Sequence, residues 1–356
     1  MHKDTLNLST RDRNSIFAIA VYKFLSSFQL AYLYYGDSTH ENATRRLTTL
    51  TKHGFISRVF SYPKATDDHK GGHPTAVYFW TPDNRKRLLQ YLEERGLAEL
   101  FTDFQHLTPT DNKSDGISQL YLVHEIGISD YFLALEEAAE RDNWTLLFWE
   151  RTSPFSKEVR ALIPQLTVNI TRKRSDGTAT TTTEMRPFNP DAIFLLEDPE
   201  GQLHFGFLEY DNNTASAEKF NKKLEGYIKF HQDKHFDALL DYYVNKYALE
   251  LPDTNIGFRV FTVCSNLRGD QRRRNELFLA SLAYRRYKLF YYASITDCTA
   301  ENILSPIWLR GKEFPQAKAH LDTILTPETS TGVQSRRIHE TLNDDEHMPK
   351  VGFVAD

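Results

Sequence analysis

Three carboxylates in the middle of the chain have the types and spacing of a metal site. Residues 189–211 read NPDAIFLLEDPEGQLHFGFLEYD, with Asp191 opening one apolar run and Glu209 and Asp211 closing the next. A turn at residues 198–202 predicts that the runs pair as strands, and side chains two residues apart share a strand face. Such oxygen ligands bind Mg²⁺ or Mn²⁺ and leave room for water and phosphate. The alternative is that these acids are turn caps or solvated strand ends.

Helices and strands alternate around these acids. Apolar periodicity predicts a mixed α/β (α+β) sheet flanked by helices. The predicted helices cover residues 120–140, 214–235 and 272–286, and the predicted strands outside the acidic pair cover 144–149, 258–264 and 289–295, with a hairpin at 168–184.

This order of elements resembles the PD-(D/E)xK nuclease superfamily, whose fold is restriction-endonuclease-like. Pro190 and Asp191 match the first half of the motif, and Glu209 matches the acid of the second half. The resemblance implies that Asp191 and Glu209 bind the metal and that a lysine two residues after the glutamate positions or activates water. In this chain Asp211 stands at that lysine position, where it would be a further metal ligand.

The missing lysine is expected to come from the helix that follows. Lys223 is the first choice for this catalytic role and Lys222 the second, while Glu125 or Glu150 would complete the metal shell. A covalent tyrosine intermediate is an open alternative, with packing as the usual role of the candidates, Tyr210 and Tyr227.

The first hundred residues are predicted to form a winged helix-turn-helix. Three short helices, the first capped by Ser9 or Thr10, precede two strands around a polar loop. In such a fold the third helix enters the DNA major groove and the loop reaches the backbone or a flanking groove. A second basic patch lies near residue 272, and both patches have a solvated helix face as their alternative. The predicted DNA contacts are Asn42, Arg45, Arg46, Thr49, Lys52, Lys70, Arg272 and Arg273.

Length and composition suit a two-domain protein. The chain has 356 residues and a net charge of -5, so DNA binding would depend on local basic patches. Two cysteines form no disulfide framework, no apolar run is long enough to span a membrane, and the first residues contain no signal-peptide core, so we expect a cytoplasmic protein without membrane insertion. The expected regions are a winged-helix domain (1–107), a linker (108–118), a nuclease-like domain (119–325) and a disordered tail (326–356).

Several short motifs together resemble the replication-relaxation family, which includes the MobC-type relaxases. They are LSTRD at residues 8–12, HEIGISD at 124–130, PDA at 190–192, LEYDNNT at 208–214 and KLEGY at 223–227. The resemblance covers roughly residues 8–310. It implies processing of plasmid or integrative-element DNA at an origin, with double-stranded DNA and a relaxosome or coupling protein as partners. A second copy of the chain is a further expected partner, because the helix predicted at residues 83–95 could mediate a dimer or pack on its own domain.

Two functions follow from these patterns. The first is a Mg²⁺- or Mn²⁺-dependent nickase or relaxase that finds its origin or operator site through the winged helix. The second is a non-catalytic DNA-binding protein, such as a replication initiator, relaxosome accessory factor or transcriptional regulator, with a degenerate nuclease-like domain. The retained acids favour the first, and the missing lysine favours the second.

Overall fold

The chain divides into two compact units, Met1–Asp130 and Tyr131–Asp356. The computed structural model describes residues 6–36, 40–61, 74–97, 104, 107, 109–110, 117–152, 156–163, 166–173, 178–212, 215–251, 256–265, 270–311 and 350–353. The division between the units falls inside a helix, whereas the sequence places a linker at 108–118, most of which lies outside the described residues. The predicted domain bounds therefore stay a prediction.

The first unit consists of helices around a small antiparallel sheet. Its elements are α1 (Thr10–Tyr22), β1 (Phe24–Ser26), α2 (Ser27–Tyr35), α3 (His40–Lys52), β2 (Ser57–Ser61), β3 (Thr75–Phe79), α4 (Pro82–Glu94) and the first half of α5 (Gln119–Arg141).

Local sequence determines where these helices begin. Ser9 and Ser26 cap α1 and α2 through reciprocal hydrogen bonds with the third helical residue, and Thr81 does the same for α4. Each cap satisfies backbone N–H groups that have no partner within the helix. The predicted cap at Ser9 is thus present.

The three strands of the first unit pair in the order β1-β3-β2, all antiparallel. Phe24, Val77, Phe79 and Leu122 form a buried cluster on this sheet. Three helices followed by a β2–β3 pair are the elements that the winged-helix prediction requires. The loop between these strands, residues 62–73 with Lys70, lies outside the described residues.

The second unit is built on a larger mixed sheet. After the second half of α5 come β4 (Thr145–Arg151), α6 (Lys157–Leu162), β5 (Thr167–Lys173), β6 (Ala179–Met185), β7 (Ala192–Glu197), β8 (Leu203–Asp211), α7 (Ala217–Gln232), α8 (Phe236–Tyr247), β9 (Phe258–Cys264), α9 (Asp270–Ser281), a 3-10 turn (Leu282–Tyr287), β10 (Phe290–Ser294), β11 (Trp308–Arg310) and β12 (Lys350–Val351).

Seven of these strands pair in the order β12-β11-β10-β9-β8-β7-β4. β4, β7 and β8 are antiparallel neighbours, while β8, β9 and β10 run parallel. The mixed α/β fold class is therefore confirmed. The long helix predicted at 214–235 is α7, and a further helix that the sequence reading does not anticipate, α8, follows it.

One face of the sheet carries the main hydrophobic core of this unit. Ile193 and Leu195 of β7 and Phe205 and Phe207 of β8 are fully buried there, together with Tyr227 of α7. The alternation of side chains along a strand places the residues of the same parity, Asp191 and Glu209, on this face as well. The candidate site therefore lies at the edge of this hydrophobic core, beside α7.

The opposite face is covered partly by the end of the chain. Phe353 is fully buried and stacks on Phe261 with ring centroids 4.4 Å apart, just after β12 pairs with β11. Residues 350–353 thus depart from the predicted disordered tail, because strand pairing and aromatic burial hold them on the sheet; residues 326–349 lie outside the described part. Within the described residues, no helix has the length and apolarity needed to cross a membrane.

Candidate active site at the ends of two paired strands

Strand register brings Asp191 and Glu209 together. Ala192 pairs with Leu208, so the next register position sets Asp191 opposite Glu209. The backbone N–H of Asp191 donates to the Leu208 carbonyl (2.8 Å), and the N–H of Tyr210 donates to Asp191 Oδ2 (2.7 Å). The backbone of β8 therefore holds the Asp191 carboxylate beside Glu209.

Both oxygens of Glu209 have partners on α7. The Lys223 ammonium donates to Oε2, and the Tyr227 hydroxyl donates to Oε1 at 2.5 Å. These two residues are four apart on the helix and so share a face. Glu209 and Tyr227 are buried, whereas the Lys223 side chain keeps 28% of its surface exposed. The cluster is thus open to solvent at the lysine, while Glu209 is enclosed.

Burial dominates the electrostatics of this cluster. It raises the pKa of Glu209 to about 7; the positive charge of Lys223 opposes this rise, and the negative charge of Asp191 adds to it. Burial lowers the pKa of Lys223, but the charges of Glu209, Asp191 and Asp211 outweigh that effect and leave the pKa raised. Lys223 is therefore charged at neutral pH.

The tyrosines do not suit a nucleophilic role. Burial, and then the charge of Glu209, raise the pKa of Tyr227 well above its ordinary value. Its side chain is fully buried, and that of Tyr210 is 7% exposed. The enclosed phenol of Tyr227 thus stays protonated and donates a hydrogen bond. Tyr227 is thus a hydrogen-bond donor to Glu209 in addition to being a packing residue.

Asp211 is held in a different way. The Arg273 guanidinium donates to both of its oxygens, at 2.8 and 3.1 Å, and also to the Ala215 carbonyl at 2.7 Å. Arg273 is 3% exposed and contacts Glu276 as well. Asp211, a predicted metal ligand, thus has both oxygens engaged by an arginine, just as both oxygens of Glu209 are engaged from α7. Arg273, a predicted DNA contact, is buried against β8.

The donor set fits a metal through two carboxylates rather than three. Among the described residues, no group of three histidine, cysteine or acidic side chains is placed to hold a metal ion. Asp191 and Glu209 do fit a hard divalent cation, because they face each other and their mutual repulsion contributes to the raised pKa of Glu209. Mg²⁺ is commonly bound by one or two protein carboxylates, with water and phosphate completing its shell.

The other predicted helpers lie in different surroundings. Glu150 of β4 accepts hydrogen bonds from Lys246 and Tyr247 of α8. Glu125 belongs to the first unit and is buried there. Lys222 is 43% exposed and pairs with Glu218 one turn away at 3.2 Å, so Lys223 is the lysine that reaches the acids.

The predicted DNA-contacting residues of α3 divide into two groups. Asn42, Arg45 and Lys52 are exposed, and Arg45 is 73% exposed although it pairs with Glu41 at 3.1 Å. Arg46 instead binds both oxygens of the buried Asp12, at 2.8 and 2.5 Å, and thereby ties α3 to α1.

Arg46, a predicted DNA contact, thus forms a link within the unit, with 32% of its side chain exposed. Thr49 is half-buried, and its hydroxyl donates to the Arg45 carbonyl at 3.1 Å. In the second unit, Arg272 is exposed, unlike its neighbour Arg273.

Two contacts of the site were not predicted from the sequence, for different reasons. Tyr227 was named as a nucleophile or a packing residue, and its position four residues after Lys223 places it on the same helix face, but its hydrogen bond to Glu209 was not anticipated. The pairing of Arg273 with Asp211 joins residues 62 positions apart. No local sequence signal reports such a contact.

Comparison with models of known protein families gives a match that covers most of the elements described above. A family model described as replication-relaxation matches residues 18–238, which is more than half of the chain. The matched range contains α3, Asp191, Glu209, Lys223 and Tyr227, and it ends before Arg273. No curated protein and no solved structure matches the chain significantly.

Proposed function

Because this chain belongs to the replication-relaxation family, we propose that it binds origin DNA of a mobile element and nicks one strand by metal-dependent phosphodiester cleavage. The family connects the chain with replication or mobilisation, and so with nucleic acid. The nicking activity and its mechanism are the further step. They rest on the site in the second unit.

The pairing of Asp191 with Glu209 under Lys223 carries this proposal. Two carboxylates face each other at a strand end, and a charged lysine contacts one of them from the following helix. Phosphodiester cleavage needs negative ligands for a cation and a positive group for the charge that develops on the phosphate. This one cluster holds both.

Each side chain has a distinct role in the proposed reaction. Asp191 and Glu209 would hold Mg²⁺ or Mn²⁺, which when bound supplies Lewis-acid polarisation of the scissile phosphate. The Lys223 ammonium would orient the attacking water and offset the negative charge on the phosphate. Tyr227 would keep the Glu209 carboxylate in one orientation through its hydrogen bond.

A nicking assay tests the proposal. Supercoiled plasmid carrying the element's origin is incubated with the full chain and Mg²⁺ or Mn²⁺, and the nicked form is separated on a gel. Wild type should nick, while Asp191→Asn and Glu209→Gln should not. Glu218→Gln is the matched control, because Glu218 lies on α7 with 80% of its side chain exposed. Nicking that survives both site changes would rule out this site.

DNA recognition is proposed for the exposed face of α3. Asn42, Arg45 and Lys52 offer amide, guanidinium and ammonium groups of the kinds that contact base edges and phosphates. Arg45→Ala should weaken binding to the origin duplex by about tenfold, as loss of a base contact does. Arg95→Ala, which removes an exposed arginine after α4, is the control. Equal affinity of the two variants would remove α3 from the interface.

The ion pair in which Arg273 binds both oxygens of Asp211 favours a second candidate function. Of the three predicted metal ligands it leaves two, and Lys223 already neutralises one of them. A chain with such a site would serve as a replication initiator, relaxosome accessory factor or regulator that binds DNA without cutting it. Tight binding to the origin without nicking in either metal would establish this function instead.

A further inference from the structure

Thr262 is a buried polar residue on the strand next to Glu209. It lies in β9, and in the parallel pairing of β8 with β9 it is the register partner of Glu209. Its side chain is fully buried, and its hydroxyl has no hydrogen-bond partner within the part of the chain that the structure describes. Burying a hydroxyl without a partner is unfavourable, so such a group in a native fold needs an explanation.

The strand register determines which site residue lies nearest to this hydroxyl. β8 lies between β7 and β9, so Glu209 has Asp191 on one side and Thr262 on the other. Register partners point their side chains to the same face, and neighbouring strands are about 4.8 Å apart. Val260 and Cys264, of the same parity as Thr262, belong to the core that α7 covers. Thr262 therefore lies beside Glu209, whereas Asp191 is two strands, or about 10 Å, away.

Glu209 has the capacity to accept a further hydrogen bond. Its two oxygens accept one bond each from Lys223 and Tyr227, and an ionised carboxylate has about four lone-pair sites. Glu209 is 3% exposed, so water has little access to the remaining sites. A donor for these sites therefore has to come from the protein, and Thr262 carries a buried hydroxyl on the neighbouring strand.

The proposed reaction creates a need for this further bond. Lys223 is the partly exposed partner of Glu209, and in the proposed function its ammonium faces the phosphate. An ammonium that turns to the phosphate leaves Oε2 of a buried acid without its partner, which is costly unless another donor replaces it. Tyr227 is already bonded to Oε1. The hydroxyl of Thr262 is available to replace the lysine at Oε2.

From these observations we infer that Thr262 is a positioning residue for Glu209. When the Lys223 ammonium turns to the phosphate, the Thr262 hydroxyl donates a hydrogen bond to the Glu209 carboxylate and keeps it oriented toward Asp191 and the cation. Thr262 does not bind the cation itself, because it lies on the side of Glu209 away from Asp191. This inference rests on the proposed function.

A stability measurement without metal or DNA tests the exchange of partners at Glu209. Thr262→Val replaces the hydroxyl by a methyl group, so in the otherwise wild-type chain it should not lower the melting temperature. In a Lys223→Met background the ammonium is absent and Thr262 is the remaining donor for Oε2. There the same change should lower the melting temperature by about 4 °C.

Ser294→Ala is the matched control for the stability measurement. The hydroxyl of Ser294 is also fully buried and has no partner among the described residues, but its register partner is Cys264 instead of a site acid. Ser294→Ala should therefore change the melting temperature by the same amount with and without Lys223. An effect of Thr262→Val that is equally independent of Lys223 would overturn the inference.

Nicking kinetics test the role of Thr262 in the reaction. At saturating DNA and metal, Thr262→Val should lower the single-turnover rate about tenfold, as loss of a hydrogen bond to a charged group does. The DNA concentration that gives half the maximal rate should stay unchanged, because Thr262 does not touch the substrate. Thr262→Ser keeps the hydroxyl and should nick within about twofold of wild type. A loss of rate that Thr262→Ser does not restore would overturn the inference.

The two measurements separate this inference from the proposed function. If Thr262→Val nicks like wild type while Glu209→Gln does not nick, Thr262 has no positioning role and the proposed function stands. If wild type does not nick with either metal, the proposed function is wrong. The melting temperatures with and without Lys223 then still decide whether Thr262 bonds to Glu209.

Discussion

Glu209 and Asp211 lie two residues apart on the same face of β8, yet their surroundings differ in kind. Glu209 is held by one lysine and one tyrosine from α7 and faces a second acid, Asp191. Asp211 is held through both oxygens by Arg273 from α9. The strand presents two similar carboxylates, and they differ because each one is paired with residues of a different helix, α7 for Glu209 and α9 for Asp211. In the proposed function Glu209 binds the cation, while Asp211 links β8 to α9 through Arg273.

The difference also concerns how each charge is balanced. Lys223 is a flexible ammonium that is partly exposed, whereas Arg273 is a buried planar guanidinium that matches a carboxylate in two bonds. A cation or phosphate can displace the first partner at modest cost. Displacing the second would break both of its bonds to Asp211 and leave the buried Arg273 with only its contacts to Glu276 and the Ala215 carbonyl.

The largest difference between Glu209 and Asp211 is expected in the nicking rates of their variants. Glu209→Gln should lower the nicking rate about 1000-fold, or about 4 kcal/mol, because a proposed metal ligand is lost. Asp211→Asn should change the rate less than about tenfold, measured well below its unfolding temperature. Equal losses in single-turnover nicking assays would show that the two acids act together, contrary to the division drawn here.

The stability of the fold, in contrast to nicking, should depend on the ion pair between Arg273 and Asp211. Arg273→Met should reduce the free energy of unfolding by about 3 kcal/mol, because it removes the buried guanidinium that bonds to Asp211, Glu276 and the Ala215 carbonyl. The adjacent Arg272→Met serves as control and should change it by less than about 0.5 kcal/mol, since Arg272 is exposed. Urea unfolding followed by tryptophan fluorescence measures both. A small effect of Arg273→Met would mean that Asp211 is not anchored as described.

The pH dependence of the free energy of unfolding tests the raised pKa of Glu209. Its folded-state pKa of about 7 lies above the ordinary 4.5, so its contribution to stability is fully present below pH 4.5 and is lost as pH rises through 7. Relative to wild type, Glu209→Gln should therefore gain roughly 2 kcal/mol in free energy of unfolding between pH 5 and 8, measured with chelator present. A difference independent of pH would contradict the raised pKa.

The smallest effect is expected at the tyrosine. Tyr227→Phe keeps the buried ring but removes the hydrogen bond to Glu209, which should cost about 1.5 kcal/mol of unfolding free energy. Tyr243→Phe is the matched control, because that hydroxyl is buried and has no hydrogen-bond partner among the described residues. If both variants lose the same stability, the bond from Tyr227 to Glu209 contributes nothing specific.

Much of the fold could be predicted because its signals are local. Serine caps, apolar periodicity and turn residues placed most helices and strands within a few residues of their observed bounds. Helix α8 and the closing strand β12 were missed. The strand has two residues and depends on an edge of the sheet that local sequence does not describe.

The sequence could predict the part of the candidate site that is formed by the β7–β8 hairpin and by one face of α7. The apolar runs and the turn between them predict that Asp191 and Glu209 meet, and helical periodicity separates Lys223 from Lys222. For Arg46 and Arg273, residue type suggested DNA contact, whereas each is paired with an aspartate of its own unit. An arginine has the same local signal in both roles.

The sequence by itself therefore determined the order of elements and the acid pair, since strand alternation and a short turn act over a few residues. Only the tertiary structure decided that Asp211 belongs to Arg273 and that Tyr227 supports Glu209. Those outcomes depend on which helix packs over which end of β8. Burial then decides whether a charge faces solvent and a ligand or must find its partner inside the protein.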